Sequence, residues 1–332
     1  MKIAFVISKP VFVPSDGVVS QALTWKNALE SAGHEVFLIN MWEKNDWKKF
    51  DIVHLFVFNE YMKDVIDNVW RFNRNIAVSP ILDPDFSKMR LKVYGRWGSS
   101  RLKLTNRYHA FASTIGKMKT LFVRSYFEAQ YLIDGLGVSP KKCKTVPVGL
   151  TLHRTLQDAV RENFCLHISL LVDERKNVKR LIAASKKYGF DLVLAGKIRD
   201  KAEAELLDSW IDDHPNIRYL GFLSDTELDD LYSRAKVFAL PSTNEGVGIV
   251  ALDAAALGCD VVITKVGGPK EYYGGFAKEV DPYSVDDIGK AISLLLNGET
   301  YQPDLSHYVK SHNSVSIIAR ALTAAYTECM EN

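Results

Sequence analysis

Residues 241–258 read PSTNEGVGIVALDAAALG. They follow an apolar run, 237–240, that is typical of a buried strand, and their second half has the apolar spacing of a helix. The glycines let the backbone approach a ligand, and a helix predicted over 246–257 directs its first N–H groups and its positive dipole end to the same point. The pattern fits a phosphate-binding turn. An ordinary strand–turn–helix crossover with Glu245 as an acidic N-cap is the open alternative.

The same rhythm of strand, helix and strand runs through the rest of the chain. Strands are predicted over 3–8, 34–39, 52–58, 76–81, 120–123, 143–148, 165–171, 191–195, 217–220, 237–240 and 260–264. Helices are predicted over 18–33, 178–188, 225–234, 246–257, 285–296 and 314–330. This order predicts an α/β protein with two Rossmann-like, doubly wound domains whose parallel sheets face a central cleft, where a ligand binds at the strands' carboxyl ends.

Length and charge distribution also indicate two domains. The chain has 332 residues, with 47% hydrophobic and 25% charged residues, which is ordinary globular composition and excludes fibrous and disordered classes. The net charge is only +2, but basic residues dominate the first half and acidic residues the second. We predict an N-terminal domain over 1–149, a C-terminal domain over 150–312, and a helix over 313–332 that packs back on the N-terminal domain.

The sequence lacks the signals that are typical of several classes of protein. The four cysteines lie far apart without a Cys-x-x-Cys pair, so neither a zinc site nor a disulfide framework is expected. No apolar run approaches the ~18 residues of a membrane span, and the N-terminal run is too short for a signal peptide. We therefore expect a cytoplasmic protein.

Residues 241–258 resemble the signature of retaining, family 4-type glycosyltransferases of GT-B fold (glycosyl transferases group 1), in which two Glu residues are separated by seven positions. Segments 32–36, 146–149, 221–235 and 266–271 are similar to other parts of that family. Five signature or flanking positions depart from the pattern: Val247, Ile249, Val250, Asp253 and Asp260. The resemblance implies the GT-B architecture, with an acceptor-binding N-terminal domain and a donor-binding C-terminal domain.

The resemblance also assigns roles in donor binding. Glu245 corresponds to the Glu that binds the donor sugar, and Asp253 to the Glu that binds the nucleotide ribose, although Asp is one methylene shorter. The backbone of five residues is expected to meet the sugar and the diphosphate: Gly246, Val247, Gly248, Ile249 and Val250. Asp16 and Gly17 occupy the family's glycine-rich loop over the diphosphate. Asp83, at a strand end, is the candidate to orient the acceptor.

Cations are needed where negative charge builds on the leaving diphosphate. The family places an Arg and a Lys after the first strand of its C-terminal domain. An ungapped alignment puts Leu170 and Arg175 there, whereas a shift of one residue matches Arg175 and Lys176 to an Arg-Lys-Asn variant. We favour the shift because a helix opens directly after Asn177. With Glu245, these two residues are the expected catalytic set, and Lys197 is a further donor-binding cation.

The resemblance implies transfer of a sugar from a nucleotide diphosphate sugar to a glycan or lipid-linked acceptor, with retention, in surface polysaccharide biosynthesis. No Asp-x-Asp motif is present, so no metal and no resident cofactor are expected. A nucleotide-sugar epimerase of the same fold and a non-catalytic binding protein are the alternatives. The departures at Leu170, Val148, Val250 and Asp253 keep the second alternative open.

A basic stretch stands apart from the signature. Between Phe86 and Phe127 there are ten basic residues and no acidic one. They are Lys88, Arg90, Lys92, Arg96, Arg101, Lys103, Arg107, Lys117, Lys119 and Arg124, with aromatic residues between them. This composition predicts peripheral binding to the anionic inner face of the cell membrane, with a solvated surface as the alternative. Nucleic acid is not expected, because no nucleic-acid-binding motif accompanies the stretch.

Overall fold

The computed structural model describes residues 1–7, 17–82, 87–97, 106–151 and 160–331. Contacts within the chain divide it into two compact units. The N-terminal unit comprises Met1–Gly149 together with Asn313–Asn332, and the C-terminal unit comprises Leu150–His312.

The N-terminal unit contains a six-stranded sheet in the order β2-β1-β3-β4-β5-β6, with every neighbouring pair parallel. Its strands are β1 (Lys2–Ile7), β2 (Glu35–Leu38), β3 (Ile52–Phe56), β4 (Ile76–Ser79), β5 (Thr120–Val123) and β6 (Cys143–Thr145). Its helices are α1 (Gly17–Ser31), α2 (Met62–Trp70), α3 (Lys88–Arg96), α4 (Arg107–Ala112), α5 (Tyr126–Leu136) and α12 (Val315–Glu331).

Alternate residues of these strands feed two separate cores, as expected for a sheet covered on both faces. Phe5 and Phe56 lie in a core with residues of α1 and α12, including Trp25 and Tyr326. Leu55 lies in the core on the other face, with residues of α2 to α5. The last helix therefore packs within the N-terminal unit.

The C-terminal unit repeats the plan with a parallel sheet in the order β12-β11-β10-β7-β8-β9. Its strands are β7 (Glu162–Leu170), β8 (Leu192–Lys197), β9 (Ile217–Tyr219), β10 (Ala235–Leu240), β11 (Asp260–Thr264) and β12 (Lys278–Val280). Its helices are α6 (Val178–Tyr188), α7 (Lys201–Ile211), α8 (Asp225–Arg234), α9 (Ile249–Ala256), α10 (Val285–Leu296) and α11 (Asp304–His312). Two parallel α/β sheets confirm the fold class predicted from the alternation of strands and helices.

Two predicted boundaries are wrong for the same physical reason. The helix predicted from 246 begins at Ile249, because Gly248 has φ +77°, which no residue inside a right-handed helix adopts. The strand predicted over 76–81 ends at Ser79, because Ile81 has φ +49°. Hydrophobic periodicity does not reveal residues with positive φ.

Candidate functional site

The candidate site lies at the carboxyl edge of the C-terminal sheet. Because the strands are parallel, the segments that follow neighbouring β7, β8 and β10 all emerge at this edge. Residues 174–176, after β7, form a short 3-10 helix, and residues 241–248, after β10, form the loop that enters α9. The predicted catalytic residues lie on these two segments.

Lys176 and Glu245 meet directly. Lys176 Nζ lies 2.6 Å from Glu245 Oε2, and the Ser242 hydroxyl donates to the same oxygen at 3.3 Å. The side chains are 21% and 11% exposed, so the pair is partly shielded from water yet open on one side. Its partners are 69 residues apart in the sequence. The tertiary structure thus places the predicted cation against the predicted sugar-binding carboxylate.

Asn177, to which the sequence assigned no function of its own, fixes both segments. Its side-chain amide donates to the carbonyl oxygens of Pro241, at 2.9 Å, and Pro282, at 2.6 Å. The residue is buried and has φ +60°, a conformation that Asn tolerates better than most residues. Beside it, Thr243 N–H donates to the Arg175 carbonyl at 2.8 Å. The Asn of the sequence Arg-Lys-Asn was the available signal for this structural role, because a left-handed position directly before a helix favours Asn.

Arg175 lies apart from the Lys176–Glu245 pair. Its guanidinium donates to both carboxylate oxygens of Asp173, at 3.1 and 2.9 Å, and its side chain is 50% exposed. This bidentate contact is the main cause that holds the pKa of Asp173 below its usual range. Of the two predicted catalytic cations, the structure brings Lys176, and not Arg175, to Glu245.

Lys197 lies beside Leu170, at the ends of two neighbouring strands. Lys197 is the last residue of β8, is exposed, and pairs in register with Leu170, the last residue of β7. An ammonium group therefore leaves the sheet one strand away from the place where the family alignment lacks its cation. Lys197 is consistent with a phosphate contact, and this role stays a prediction.

The glycine-rich loop is shaped by close backbone contacts. A Cβ on Gly248 would lie 2.8 Å from Leu240 Cδ2, and a Cβ on Gly267, at φ +91°, would lie 2.7 Å from the Glu245 carbonyl oxygen. Together with the positive φ of both residues, these contacts favour glycine at the two positions, most strongly at Gly267, where the near atom is backbone. Since α9 begins at Ile249, its first free N–H groups belong to Ile249 and Val250, whereas Gly246 and Val247 are buried in the loop before it.

Asp253 is buried on α9, and its carboxylate contacts Thr151. The Thr151 N–H donates to Oδ1 at 2.9 Å, and the Thr151 hydroxyl donates to Oδ2. Tyr273, which is 1% exposed, has a hydroxyl without a hydrogen-bond partner among the described residues. Burial, and then the charges of Glu245 and Asp253, raise the pKa of this phenol well above its usual range.

A buried histidine lies in the C-terminal sheet, near enough to Lys176 for that charge to act on it. His167, on β7, lies with Nδ1 2.7 Å from the Ala239 carbonyl and Nε2 2.7 Å from Ser169 Oγ. Because a carbonyl accepts, Nδ1 carries the proton and Nε2 accepts from the serine. Burial lowers the pKa of His167 to about 4, so the imidazole is neutral at physiological pH. The sequence analysis missed this pair, for which the alternation His-Ile-Ser along a strand was the available signal.

Of the three candidate residues in the N-terminal unit, the structure describes one. Gly17 is the first residue of α1, whereas Asp16 and Asp83 lie outside the described residues. The segment just before Asp83 is held by a buried ion pair, whose side chains are 9% exposed for Arg124 and 3% for Glu128. The Leu82 N–H donates to Glu128 at 2.7 Å, and Arg124 donates to the Leu82 carbonyl at 2.8 Å.

This ion pair corrects part of the predicted membrane surface. Arg124 is buried because Glu128 neutralises it, so it cannot face a membrane. Further partners are acidic or polar: Asp134 for Lys88, Asp67 for Lys117, Asn75 for Lys119 and the Tyr108 hydroxyl for Arg107. Arg101 and Lys103 lie outside the described residues. The exposed basic residues that continue the prediction are therefore those of α3, including Lys92 and Arg96.

The described ranges of the chain omit 8–16, 83–86, 98–105, 152–159 and 332. Within them no helix combines the length and the apolar character that crossing a bilayer requires. Within them, too, no three His, Cys, Asp or Glu side chains cluster as metal ligands.

Comparison with known proteins locates the resemblance. Residues 152–312 match the family model "Glycosyl transferases group 1". The O-antigen chain mannosyltransferase B of Escherichia coli is 28% identical over 154 residues, which are 42% of this chain and 39% of that protein. The matches span about a fifth to two fifths of the length of such curated relatives.

The likeness in structure covers the whole chain. Sucrose-phosphate synthase from Thermosynechococcus elongatus superposes with a TM-score of 0.76 at 17% identity, covering 99% of both chains. Anabaena Alr3699/HepE, solved in complex with UDP and glucose, superposes with a TM-score of 0.71 at 16% identity, covering 99% of this chain and 100% of that one. At these identities the likeness concerns the fold, and it confirms the predicted GT-B fold class.

Proposed function

Since residues 152–312 match the family model "Glycosyl transferases group 1", we propose that this protein is a glycosyltransferase that moves a sugar, with retention, from a nucleotide diphosphate sugar to a glycan or lipid-linked acceptor. The proposal includes a role in surface polysaccharide biosynthesis, which the name of its O-antigen mannosyltransferase relative supports. The C-terminal unit is the donor-binding part and the N-terminal unit the acceptor-binding part.

The ion pair between Lys176 and Glu245 carries this proposal. It joins a cation and a hydroxyl-binding carboxylate, 2.6 Å apart, in front of a helix N-terminus and inside the family domain. A nucleotide sugar presents the same two features side by side, namely a diphosphate that needs cations and a sugar whose hydroxyls need an acceptor. Few other ligands would use a carboxylate and a phosphate-binding turn together.

The residues divide the work as follows. Lys176, Lys197 and the first N–H groups of α9 stabilise the diphosphate as negative charge grows on its bridging oxygen. Glu245 accepts hydrogen bonds from the donor sugar and thereby fixes its orientation. The acceptor hydroxyl attacks the anomeric carbon on the side from which the diphosphate departs, and its proton passes to the departing phosphate oxygen. The bond from the anomeric carbon to the new oxygen forms on the same face on which the bond to the phosphate oxygen breaks, so the configuration is retained.

Thermal unfolding with saturating UDP, GDP or ADP tests donor binding. A ligand at about 100 times its Kd stabilises by about 2.7 kcal/mol, which raises the midpoint of a domain of 150–250 residues by roughly 5–11 °C. We expect one nucleotide to shift the transition of the C-terminal unit, and its sugar conjugate to shift it further. Mannosyl donors are the first to try, because several of the curated relatives are mannosyltransferases.

Glu245→Ala separates the parts of the proposal. The variant should keep the nucleotide shift and lose the additional shift from the sugar. If no nucleotide moves the transition of the wild-type protein, donor binding is refuted and a non-catalytic protein is favoured. If the nucleotide sugar is bound and its sugar is inverted at C2 or C4 without any acceptor, the epimerase alternative replaces transfer.

We propose that the reaction needs no metal and no resident cofactor, since side-chain cations supply the positive charge. Turnover of the nucleotide sugar should be undiminished in EDTA. A strict requirement for added manganese or magnesium would contradict this part of the proposal.

The exposed face of α3 supports the proposed binding to the inner face of the cell membrane. Met89, Val93 and Trp97 are spaced by four residues, so they lie along one helix face, and they are 78%, 55% and 74% exposed. Lys92 and Arg96 are exposed on the same helix. Apolar and basic side chains on one face suit an interfacial helix at an anionic bilayer, where each basic residue contributes about 1 kcal/mol.

Vesicle flotation tests this surface. The wild type should float with vesicles that contain phosphatidylglycerol and not with pure phosphatidylcholine, and Trp97→Ser should reduce recovery. Trp42→Ser is the matched control, because Trp42 is 97% exposed in the same unit but lies outside α3. Equal recovery with both vesicle types, or equal losses in both variants, would argue against the α3 surface.

A further inference from the structure

The contact between Asp253 and Thr151 joins the start of the C-terminal unit to helix α9. Thr151 stands at the start of the unit and Asp253 is 102 residues later, on α9. Thr151 donates through both its backbone N–H and its hydroxyl, one to each carboxylate oxygen. Asp253 is only 5% exposed, and a buried carboxylate is retained at such a place when donors satisfy it.

The surroundings of Asp253 are otherwise unusual for a buried acid. Two buried tyrosines, Tyr232 and Tyr273, lie near enough for the Asp253 charge to help raise the pKa of each phenol, after burial itself. The Tyr273 hydroxyl has no hydrogen-bond partner among the described residues, and Glu245 also acts on it. A buried polar atom without a partner, beside both signature carboxylates, is the expected mark of a ligand that the protein has yet to bind.

We propose that Thr151 is a positioning residue for nucleotide recognition: its two hydrogen bonds fix the Asp253 carboxylate in the orientation that accepts the ribose hydroxyls of the donor. This inference rests on the proposed function. A carboxylate accepts about four hydrogen bonds, so bonds from Thr151 and from adjacent ribose hydroxyls are compatible. Fixing the group in advance offsets the shorter reach of Asp, because a preorganised acceptor loses little freedom on binding.

A second carboxylate in the same unit provides a matched control. Asp260, also buried, accepts the Tyr301 N–H at 2.7 Å and the Thr300 hydroxyl. Like Asp253, Asp260 therefore accepts one backbone N–H and one threonine hydroxyl. Asp260 begins β11, however, and so lies at the amino edge of the sheet, away from the site. Loss of the Thr300 hydroxyl should therefore affect folding and not nucleotide recognition.

The experiment measures the Kd of the full chain for UDP, GDP and ADP, and then for the 2′-deoxy and 3′-deoxy forms of whichever binds. For the wild type we expect at least one deoxy form to bind about 10-fold more weakly, the scale of one hydrogen bond to a charged group. In Thr151→Val the ratio of deoxy to ribo Kd should fall to nearly 1. Thr151→Ser should restore the ratio, and Thr300→Val should leave it unchanged.

The outcomes are distinguishable. If no nucleoside diphosphate binds the wild type, the proposed function fails before this inference is reached. If the wild type discriminates ribose and Thr151→Val discriminates equally well, Thr151 has a structural role alone and the inference is wrong. If Thr151→Val does not fold, Thr151→Ser and Thr151→Ala decide between the two roles, since Ser keeps the hydroxyl and Ala does not. An equal change of the ratio in Thr300→Val would also overturn the inference.

Discussion

Each unit holds a cation–carboxylate pair beyond the ends of its parallel strands, but the two pairs are built differently. Arg124 and Glu128 are almost inaccessible to water, and Glu128 accepts from the Arg124 side chain, the Arg124 N–H and the Leu82 N–H. Lys176 and Glu245 are two to four times more exposed, and the described contacts of Glu245 come from two side chains.

This difference separates a structural ion pair from a candidate functional one. The lone pairs of Glu128 are used within the protein to hold the backbone of Leu82, so the pair fixes the loop that leads to Asp83. Glu245 is held chiefly by Lys176, a flexible side chain that can turn to a phosphate without disturbing the backbone. The first pair should therefore control stability, and the second should control substrate binding.

The largest expected effect breaks the structural pair. Glu128→Gln removes the carboxylate charge that pairs with the buried Arg124 guanidinium, and breaking a buried ion pair typically costs about 3–5 kcal/mol. The urea-unfolding transition of the N-terminal unit should shift to lower denaturant. Asp134→Asn, which breaks the exposed pair with Lys88, should change the same transition by less than about 1 kcal/mol. Equal losses in the two variants would show that burial is not the deciding difference.

The second prediction concerns the functional pair. Lys176→Met should lower kcat for sugar transfer by roughly 10²–10³-fold, or about 2.7–4 kcal/mol, because the growing charge on the diphosphate loses a fixed cation. The free energy of unfolding should change little. Arg175→Met, which removes the cation bound to Asp173, should reduce kcat much less. A larger loss in Arg175→Met would favour the ungapped alignment of the cation segment.

A third prediction compares the buried histidines of the two units. His54, on β3, lies 2.8 Å from Ser79 Oγ and 2.5 Å from the Tyr326 hydroxyl, and burial lowers its pKa to about 3. In the unfolded chain its pKa returns to about 6.5, so the unfolded state binds a proton first as the pH falls. Stability is thus lost below pH 6.5, by about 2.5 kcal/mol between pH 6 and 4.

His54→Gln should flatten this pH dependence in the transition of the N-terminal unit. His167→Gln should flatten it only in the transition of the C-terminal unit, since the pKa of His167, about 4, is also lowered by burial. Urea titrations at several pH values measure both slopes. A slope that is unchanged in both variants would mean that other groups dominate the acid response.

The smallest effect tests the register pairing of Leu170 with Lys197. Lys197→Met should weaken binding of the nucleoside diphosphate about 10-fold, roughly 1.4 kcal/mol, and leave the monophosphate almost unaffected. Lys201→Met is the control, because Lys201 lies just beyond β8 with a side chain that is 90% exposed. A loss shared by the monophosphate would place Lys197 away from the terminal phosphate.

Much of the fold could be predicted because its signals are local. The strand 120–123 and the helices 178–188, 225–234 and 285–296 have the predicted bounds, since each shows clear periodicity and a turn signal at both ends. The end of the strand at Ser79 was misjudged, because Ile81 is a β-branched residue that rarely adopts the left-handed conformation it has here.

The sequence by itself determined the fold class, the family resemblance and the types of residue in the site, because alternation and the spacing around Glu245 are written within short stretches. The tertiary structure alone decided which charges meet. It paired Lys176 rather than Arg175 with Glu245, buried Arg124 against Glu128, and brought Thr151 to Asp253. These choices depend on how strands distant in sequence lie side by side, and on which side chains are thereby removed from water. Neither the arrangement of the strands nor the burial of these side chains is encoded in any single stretch of the chain.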